Sequence, residues 1–279
     1  MAGTRRKELE VILEDRIAEI SSRARTEVEG LNLFDSNLWL GLPDHFPLAQ
    51  EIAPKGLAQV LGEYGIRGGL VSHWDGVRVS PQDGNQGLRE VQSILPPRVW
   101  TVWTGLPLAA GEPGPLPGTG PSDARMRGVR LFPKTHHFQL SPWVVGSLCE
   151  WCISHRLPVF FWHVEVEWEQ VYHLASTFPA LTVVVDTQWQ KILYHNRDLS
   201  GLLEACRNVL VESSNLIGQD FITWLVRKWG AERILYGSFL PANDPYASIG
   251  MILDADISEA EKALIAGGNA RRLVEGVQP

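Results

Sequence analysis

Cysteine is scarce here, with three in 279 residues, so no closed disulfide framework can hold the chain and a hydrophobic core must. No apolar stretch reaches the ~20 residues that a membrane-spanning helix needs. Basic residues number 25 against 32 acidic ones, for a net charge of −7. Their one short run is Arg5-Arg6-Lys7. That balance argues against a nucleic-acid partner. The N-terminus is charged and helical in pattern rather than signal-like, which with the few cysteines makes the cytoplasm the expected compartment. No Gly-x-Gly-x-x-Gly follows an early strand, and no Gly-x-Ser-x-Gly elbow is present, which removes the usual dinucleotide fingerprint and serine-nucleophile signature. The C-x-x-C at Cys149–Cys152 falls inside a helical stretch, away from the helix start where a thiolate is stabilised. It reads as chance spacing.

What remains is an ordinary apolar fraction, 44 %, and an unusual eleven tryptophans. Residues 4–29 place Leu9, Ile12, Leu13, Ile17 and Ile20 at helical spacing among charges, which predicts an amphipathic helix, set over the barrel floor or against a partner subunit. After it, short apolar runs alternate with helical pieces. The runs are Leu31–Phe34, Gly68–Ser72, Val99–Trp103, Gly128–Phe132, Pro158–Phe161, Leu181–Val185, Val209–Glu212 and Ile234–Tyr236. Helix-like pieces fall near 54–64, 86–95, 143–155, 166–177, 198–206 and 217–229. Eight strand–helix units in a chain of this length predict an α/β protein, a single (β/α)8 TIM barrel over 31–279 with an extra N-terminal helix over 1–30. The third connection, 105–121, holds five Gly and five Pro and reads as a long loop at the C-terminal face, either a lid or a plain surface loop.

Within this frame Phe34-Asp-Ser-Asn-Leu-Trp-Leu-Gly41, Gly128-Val-Arg-Leu-Phe-Pro133, Leu157-Pro-Val-Phe-Phe-Trp162, Phe178–Thr187 and Gly230–Ser238 resemble, in order and spacing, the strands of the amidohydrolase-related family of metal-dependent hydrolases, whose members are TIM barrels. The resemblance implies metal ligands at two positions of the first strand and one each on the fifth, sixth and eighth. Those positions hold Asn37, Trp39, Trp162, Thr187 and Phe239. Trp and Phe donate nothing to a dication, and Asn and Thr are poor substitutes. The expectation is therefore no metal and no other cofactor. A branch of the family that shares this loss also carries a Gly-Asn pair after strand two, here Gly84-Asn85, and an Arg-Leu-Phe-Pro stretch followed by His.

The candidates left for chemistry are His73, His137, His163 and Asp186, as acids or bases. Asn37, Trp39, Arg130, Lys134, Trp162, Ser238 and Phe239 are the candidates for holding a small-molecule ligand. Arg130 is also expected to pair with a buried Asp35. Two readings stay open. One is a metal-independent hydrolase or lyase, such as a decarboxylase, acting on a small organic molecule. The other is a non-catalytic relative that binds a small ligand or supports a homologous hydrolase subunit. Self-association is open as well. An open pocket ringed by the His/Asp set favours the first; a cavity filled by Trp39, Trp162 and Phe239 favours the second.

Overall fold

A computed structural model describes residues 25–41, 50–109, 112, 114–117, 120–121, 125–189 and 192–278. The expected helix over 1–30 therefore lies largely outside the described residues; its end, α1 (25–30), is helical. Parts of the 105–121 loop lie outside them too.

The element order is β1 (Asp35–Leu40), α2 (Leu57–Glu63), β2 (Gly69–His73), α3 (Asp75–Arg78), α4 (Pro81–Val91), β3 (Val99–Thr104), β4 (Met126–Leu131), α5 (Pro142–Ser154), β5 (Val159–Trp162), α6 (Trp168–Thr177), β6 (Val183–Asp186), α7 (Asn196–Ala205), β7 (Val209–Glu212), α8 (Phe221–Trp229), β8 (Ile234–Leu235), α9 (Pro245–Leu253), α10 (Glu259–Ala263) and α11 (Asn269–Gly276). The strands run parallel in the order β1 to β8. Beyond β8 the chain stays extended enough to close the ring. Ser36 N–H donates to Tyr236 O, Phe239 N–H to Asn37 O, and Trp39 N–H to Leu240 O, at 2.9–3.0 Å. This is the (β/α)8 barrel that the alternation predicts.

The first strand differs from its expected span. It begins at Asp35, where the apolar run Leu31–Phe34 ends. Asp35, Ser36 and Asn37 are all fully buried, because the barrel interior supplies hydrogen bonds that an isolated run of polar residues does not reveal. Helix starts follow local chemistry. Ser80 caps α4 by accepting from Asp83 N–H at 3.1 Å, with Pro81 in the first turn.

Alternating residues fill the barrel in three layers. The floor is apolar: Phe34, Leu70, Val102, Phe160, Val184 and Leu235, sealed from below by Ala270 and Val274 of α11. Asn269 anchors that helix by donating to Ala231 O and Ile234 O at 2.8 and 2.7 Å. The middle layer is polar. The top layer is aromatic.

Close backbone contacts fix the ring's outer shell at one point. A Cβ on Gly84 of α4 would lie 2.2 Å from Gly76 N and 2.3 Å from its Cα. Gly84→Ala must push α4 off α3, and is expected to cost about 2–3 kcal/mol by denaturant unfolding. Gly62 of α2 has open space around its Cβ. Gly62→Ala, measured beside it, should be neutral or stabilising by up to about 1 kcal/mol.

Candidate functional site at the barrel mouth

Arg130 on β4 is 1 % exposed and sits on the barrel axis. Its Nε lies 3.0 Å from Asp186 Oδ2 at the end of β6. Its Nη1 donates to Ser72 Oγ of β2 at 2.8 Å. The guanidinium lies over two rings, Phe160 below and Trp39 above, 5.2 and 4.8 Å from their centroids. The expected Asp35–Arg130 pair is thus replaced by Arg130–Asp186. Asp35 Oδ1 instead accepts the backbone N–H groups of Asn37 (2.8 Å) and Ser238 (3.1 Å), so its carboxylate pins β1 to the strand-eight loop. Arg130 acts on it only through longer-range charge.

A third acid shares the layer. Glu212 of β7 accepts from Thr187 N–H and from Ser214 N–H and Oγ–H, at 3.1, 2.6 and 2.9 Å. Three fully buried carboxyls therefore share the interior with one buried guanidinium. Burial raises Asp35 to about 6 and Asp186 to about 6, with Arg130 opposing the shift in both. Burial and the neighbouring Asp186 charge raise Glu212 to about 8. Of the three carboxyls, Glu212 is raised furthest.

Above this layer Trp39, Trp74, Phe132, Trp162 and Phe239 form one buried cluster, none more than 6 % exposed. Trp39 meets Trp74 at 5.0 Å, Phe239 at 6.1 Å and Phe132 at 6.4 Å between ring centres; Trp162 meets Trp74 at 6.3 Å and Phe239 at 6.5 Å. Most of these contacts are edge-on or tilted, the geometry aromatic quadrupoles prefer. Phe239 reaches the cluster from a left-handed backbone, φ +60°, a conformation that costs energy in a bulky residue.

The five positions to which the family pattern assigns metal ligands can now be tested. Three are rings of this cluster. Asn37 spends its carbonyl on Trp39 Nε1–H (2.8 Å) and its amide on Gln188 Oε1 (2.9 Å). Thr187 Oγ1 donates to Glu212 O and accepts from Asn215 N–H, both at 2.9 Å. The residues do not fit a dication, and among the described residues no three His, Cys, Asp or Glu side chains converge to hold one.

The remaining candidates scatter. Since Ser72 faces the axis, His73 faces outward. Its Nδ1 accepts from Asp75 N–H at 3.2 Å, and its ring lies where a Cβ on Gly87 of α4 would stand 2.9 Å from Nε2. His137 is exposed, at φ +57°. Residues 133–137 form turns rather than an extended segment, so strand alternation does not direct the His137 ring inward. His136 is the half-buried one, its ring against Phe132 at 5.7 Å. Lys134 is 51 % exposed and pairs with Glu167 at 3.0 Å. Ser238 is buried, its Oγ accepting Leu240 N–H at 3.0 Å. Trp103 faces outward, capped by Arg89 at 4.8 Å. His163 is buried beside the layer, its Nδ1–H donating to Asp186 O at 3.2 Å while Nε2 has no partner; burial lowers it to about 4, so the ring is neutral. Cys149 and Cys152 are buried, and burial raises both thiols, Cys149 to about 12, so neither is a nucleophile. The central contributors that the sequence left unranked are Trp74 and Phe132, which complete the aromatic cluster over the barrel mouth, and Gln188, whose backbone carbonyl accepts Trp162 Nε1–H at 2.8 Å.

The charge imbalance sets a pH dependence. A buried acid held protonated binds its proton more tightly folded than unfolded, so stability is full below the unfolded pKa and falls as pH rises through the folded one. Below pH 6.5 the lowered histidines, His163, His136 and His73, act with the opposite sign and oppose Asp35 and Asp186. Between pH 6.5 and 8 Glu212 dominates. Unfolding free energy should fall over that window, by on the order of 1 kcal/mol per pH unit at most. Glu212→Gln should flatten the slope in matched urea titrations.

Residues 121–275, more than half the chain, match the sequence model of the amidohydrolase family. No curated protein matches the sequence. Among solved structures, an amidohydrolase 2 from Bifidobacterium longum subsp. infantis is similar over 88 % of this chain and 98 % of its own, with TM-score 0.62 and 17 % identity. 5-Carboxyvanillate decarboxylase from Sphingomonas paucimobilis covers 88 % and 99 %, at TM-score 0.62 and 14 % identity. A zinc-bound amidohydrolase from Burkholderia multivorans covers 87 % and 99 %, at TM-score 0.63 and 15 % identity. At these identities the structures show a shared fold and no more. With the sequence match, the strand order and the barrel closure together, the chain belongs to the amidohydrolase family.

Proposed function

We propose that this chain is a non-catalytic member of the family with a degenerate metal site, in which the barrel mouth has become a packed lid and the protein works by binding a small ligand or a homologous subunit. The observation that carries the reading is the placement of Trp39, Trp162 and Phe239. They occupy three of the five ligand positions and pack against one another with Trp74 and Phe132, out of contact with solvent. A substrate needs a concave, partly open site with convergent polar groups. Here the polar groups converge underneath the rings, where Asn37 pairs with Gln188 and Arg130 with Ser72 and Asp186, while Asp35 Oδ2, Arg130 Nη2, Asp186 Oδ1 and Gln188 Nε2 have no hydrogen-bond partner among the described residues.

The runner-up is metal-independent hydrolysis or decarboxylation of a small organic molecule. Family membership and the decarboxylases among the structural neighbours support it, and so does one local feature. His163 is neutral with Nε2 unpartnered beside Asp186, the state a general base requires. That route needs the lid to open, since Trp162 and His163 are 6 % and 2 % exposed.

Metal retention tests the degenerate site that both readings share, and a turnover screen separates them. Protein equilibrated with Zn²⁺ or Mn²⁺ and then exchanged into metal-free buffer should retain well below one ion per chain; stoichiometric retention, lost on Asn37→Ala, overturns the degenerate site. A screen of aromatic and aliphatic carboxylates, lactones and amides should show no turnover above a heat-treated control. Turnover that survives a chelator and disappears in His163→Ala establishes the runner-up instead. Phe239→Ala should lower unfolding free energy by about 3–5 kcal/mol, as removal of a ring from a dry core does; a loss under 1 kcal/mol would mean the lid is not packed.

A further inference from the structure

Beside the sealed axis the described residues line a cleft toward the loops after β6, β7 and β8. Its volume is about 580 Å³, within the range of small-molecule sites. Trp189 forms one wall, Ser214 and Asn215 are buried lining groups, Asn243 and Asp244 come from the strand-eight loop, and Met251 comes from α9. Trp189 is rooted on the lid by an edge-on contact with Trp162, 5.6 Å between ring centres at 70°, and is itself 36 % exposed. Its backbone is left-handed, φ +75°. A tryptophan held at positive φ is disfavoured, and such residues concentrate where a side chain must be presented to something.

Charge selects the ligand. Among the described lining residues no Lys, Arg or His appears, and Asp244 is the one ionised side chain. A carboxylate or phosphate would meet no counter-charge among these described residues. The start of α9 does not supply one. Asp244 is its N-cap and already accepts Tyr246 N–H at 2.9 Å, and Pro245 has no N–H to offer. An indole and a carboxylate lining one cleft attract the opposite class of molecule, because the ring quadrupole and the carboxylate both favour positive charge. Ser214 and the two asparagines add neutral polar contacts. We propose that this cleft binds a small organic cation of the alkylammonium type, with Trp189 against the cationic head and Asp244 as its counter-ion.

The probes are choline, its neutral carbon isostere 3,3-dimethylbutan-1-ol, and 3,3-dimethylbutanoate, titrated into the full chain by calorimetry and by ligand-observed saturation-transfer NMR. Choline should bind roughly tenfold more tightly than the neutral isostere, the factor worth about 1.4 kcal/mol, and the anion should not bind. Asp244→Asn removes the charge while keeping a good helix cap, so the fold persists; choline should lose most of its advantage and the neutral isostere should be unaffected. Trp189→Leu should abolish choline binding without shifting the melting temperature by more than a few degrees. Equal binding of choline and the alcohol, unchanged choline affinity in Asp244→Asn, or no choline binding in the unmodified chain overturns the proposal.

Discussion

A guanidinium buried between two aromatic faces governs the interior of this barrel. Arg130 has left water almost entirely, and an isolated cation at such a place costs several kcal/mol. Three things offset that cost: the Asp186 carboxylate at 3.0 Å, the Ser72 hydroxyl at 2.8 Å, and the faces of Trp39 and Phe160 above and below. Each partner sits on a different strand. The charge therefore ties β1, β2, β4, β5 and β6 to one point on the axis, and it specifies their mutual register more than it adds net stability, as buried pairs commonly do.

The other acids follow from that choice. One cation can balance one buried anion well. Asp35 and Glu212 have no cation of their own, so the fold supplies N–H and O–H donors to them and tolerates a proton on Glu212. A dication above this layer would have changed the balance, drawing carboxylates upward as ligands and lowering their proton affinity. Rings lie there instead. The lid keeps water off the layer, which strengthens the Arg130–Asp186 attraction and at the same time raises the acids. Lid and polar layer are therefore interdependent: the rings need something beneath them that does not demand water, and the ion pair needs a dry roof.

Much of this architecture is legible in the residues alone. Alternating strand and helix patterns give the barrel, and seven of the eight apolar runs overlap strands. The exception, Leu31–Phe34, shows the limit of hydrophobic pattern. A strand whose inward residues are Asp35, Asn37 and Trp39 looks like a loop until the opposite wall supplies its partners. Parity decides the histidines in the same way. His73 adjoins Ser72, and only the contact of Ser72 with Arg130 shows that Ser72 faces the axis and His73 the helix. The pairing of Arg130 with Asp186 rather than Asp35 is long-range geometry that no spacing encodes. The substituted ligand positions, by contrast, stand in the sequence directly. What they leave unsaid is that the replacements touch, and that Trp74 and Phe132 join them.

Two left-handed aromatic residues at the mouth belong to one construction. Phe239 turns its ring inward at φ +60°, where it completes the lid; Trp189 turns at φ +75° and leaves its ring half on the lid and half on the cleft. Both conformations cost energy that ordinary packing does not ask for. For Phe239 the return is visible in its ring contacts with Trp39, Trp74 and Trp162. Trp189 is braced by its ring contact with Trp162, and a third of the residue remains in solvent. A side chain strained into place, braced on a rigid lid and left partly bare is what a binding wall requires, because its orientation is fixed before the ligand arrives. The ring cluster over the axis thus also braces one wall of the cleft beside it.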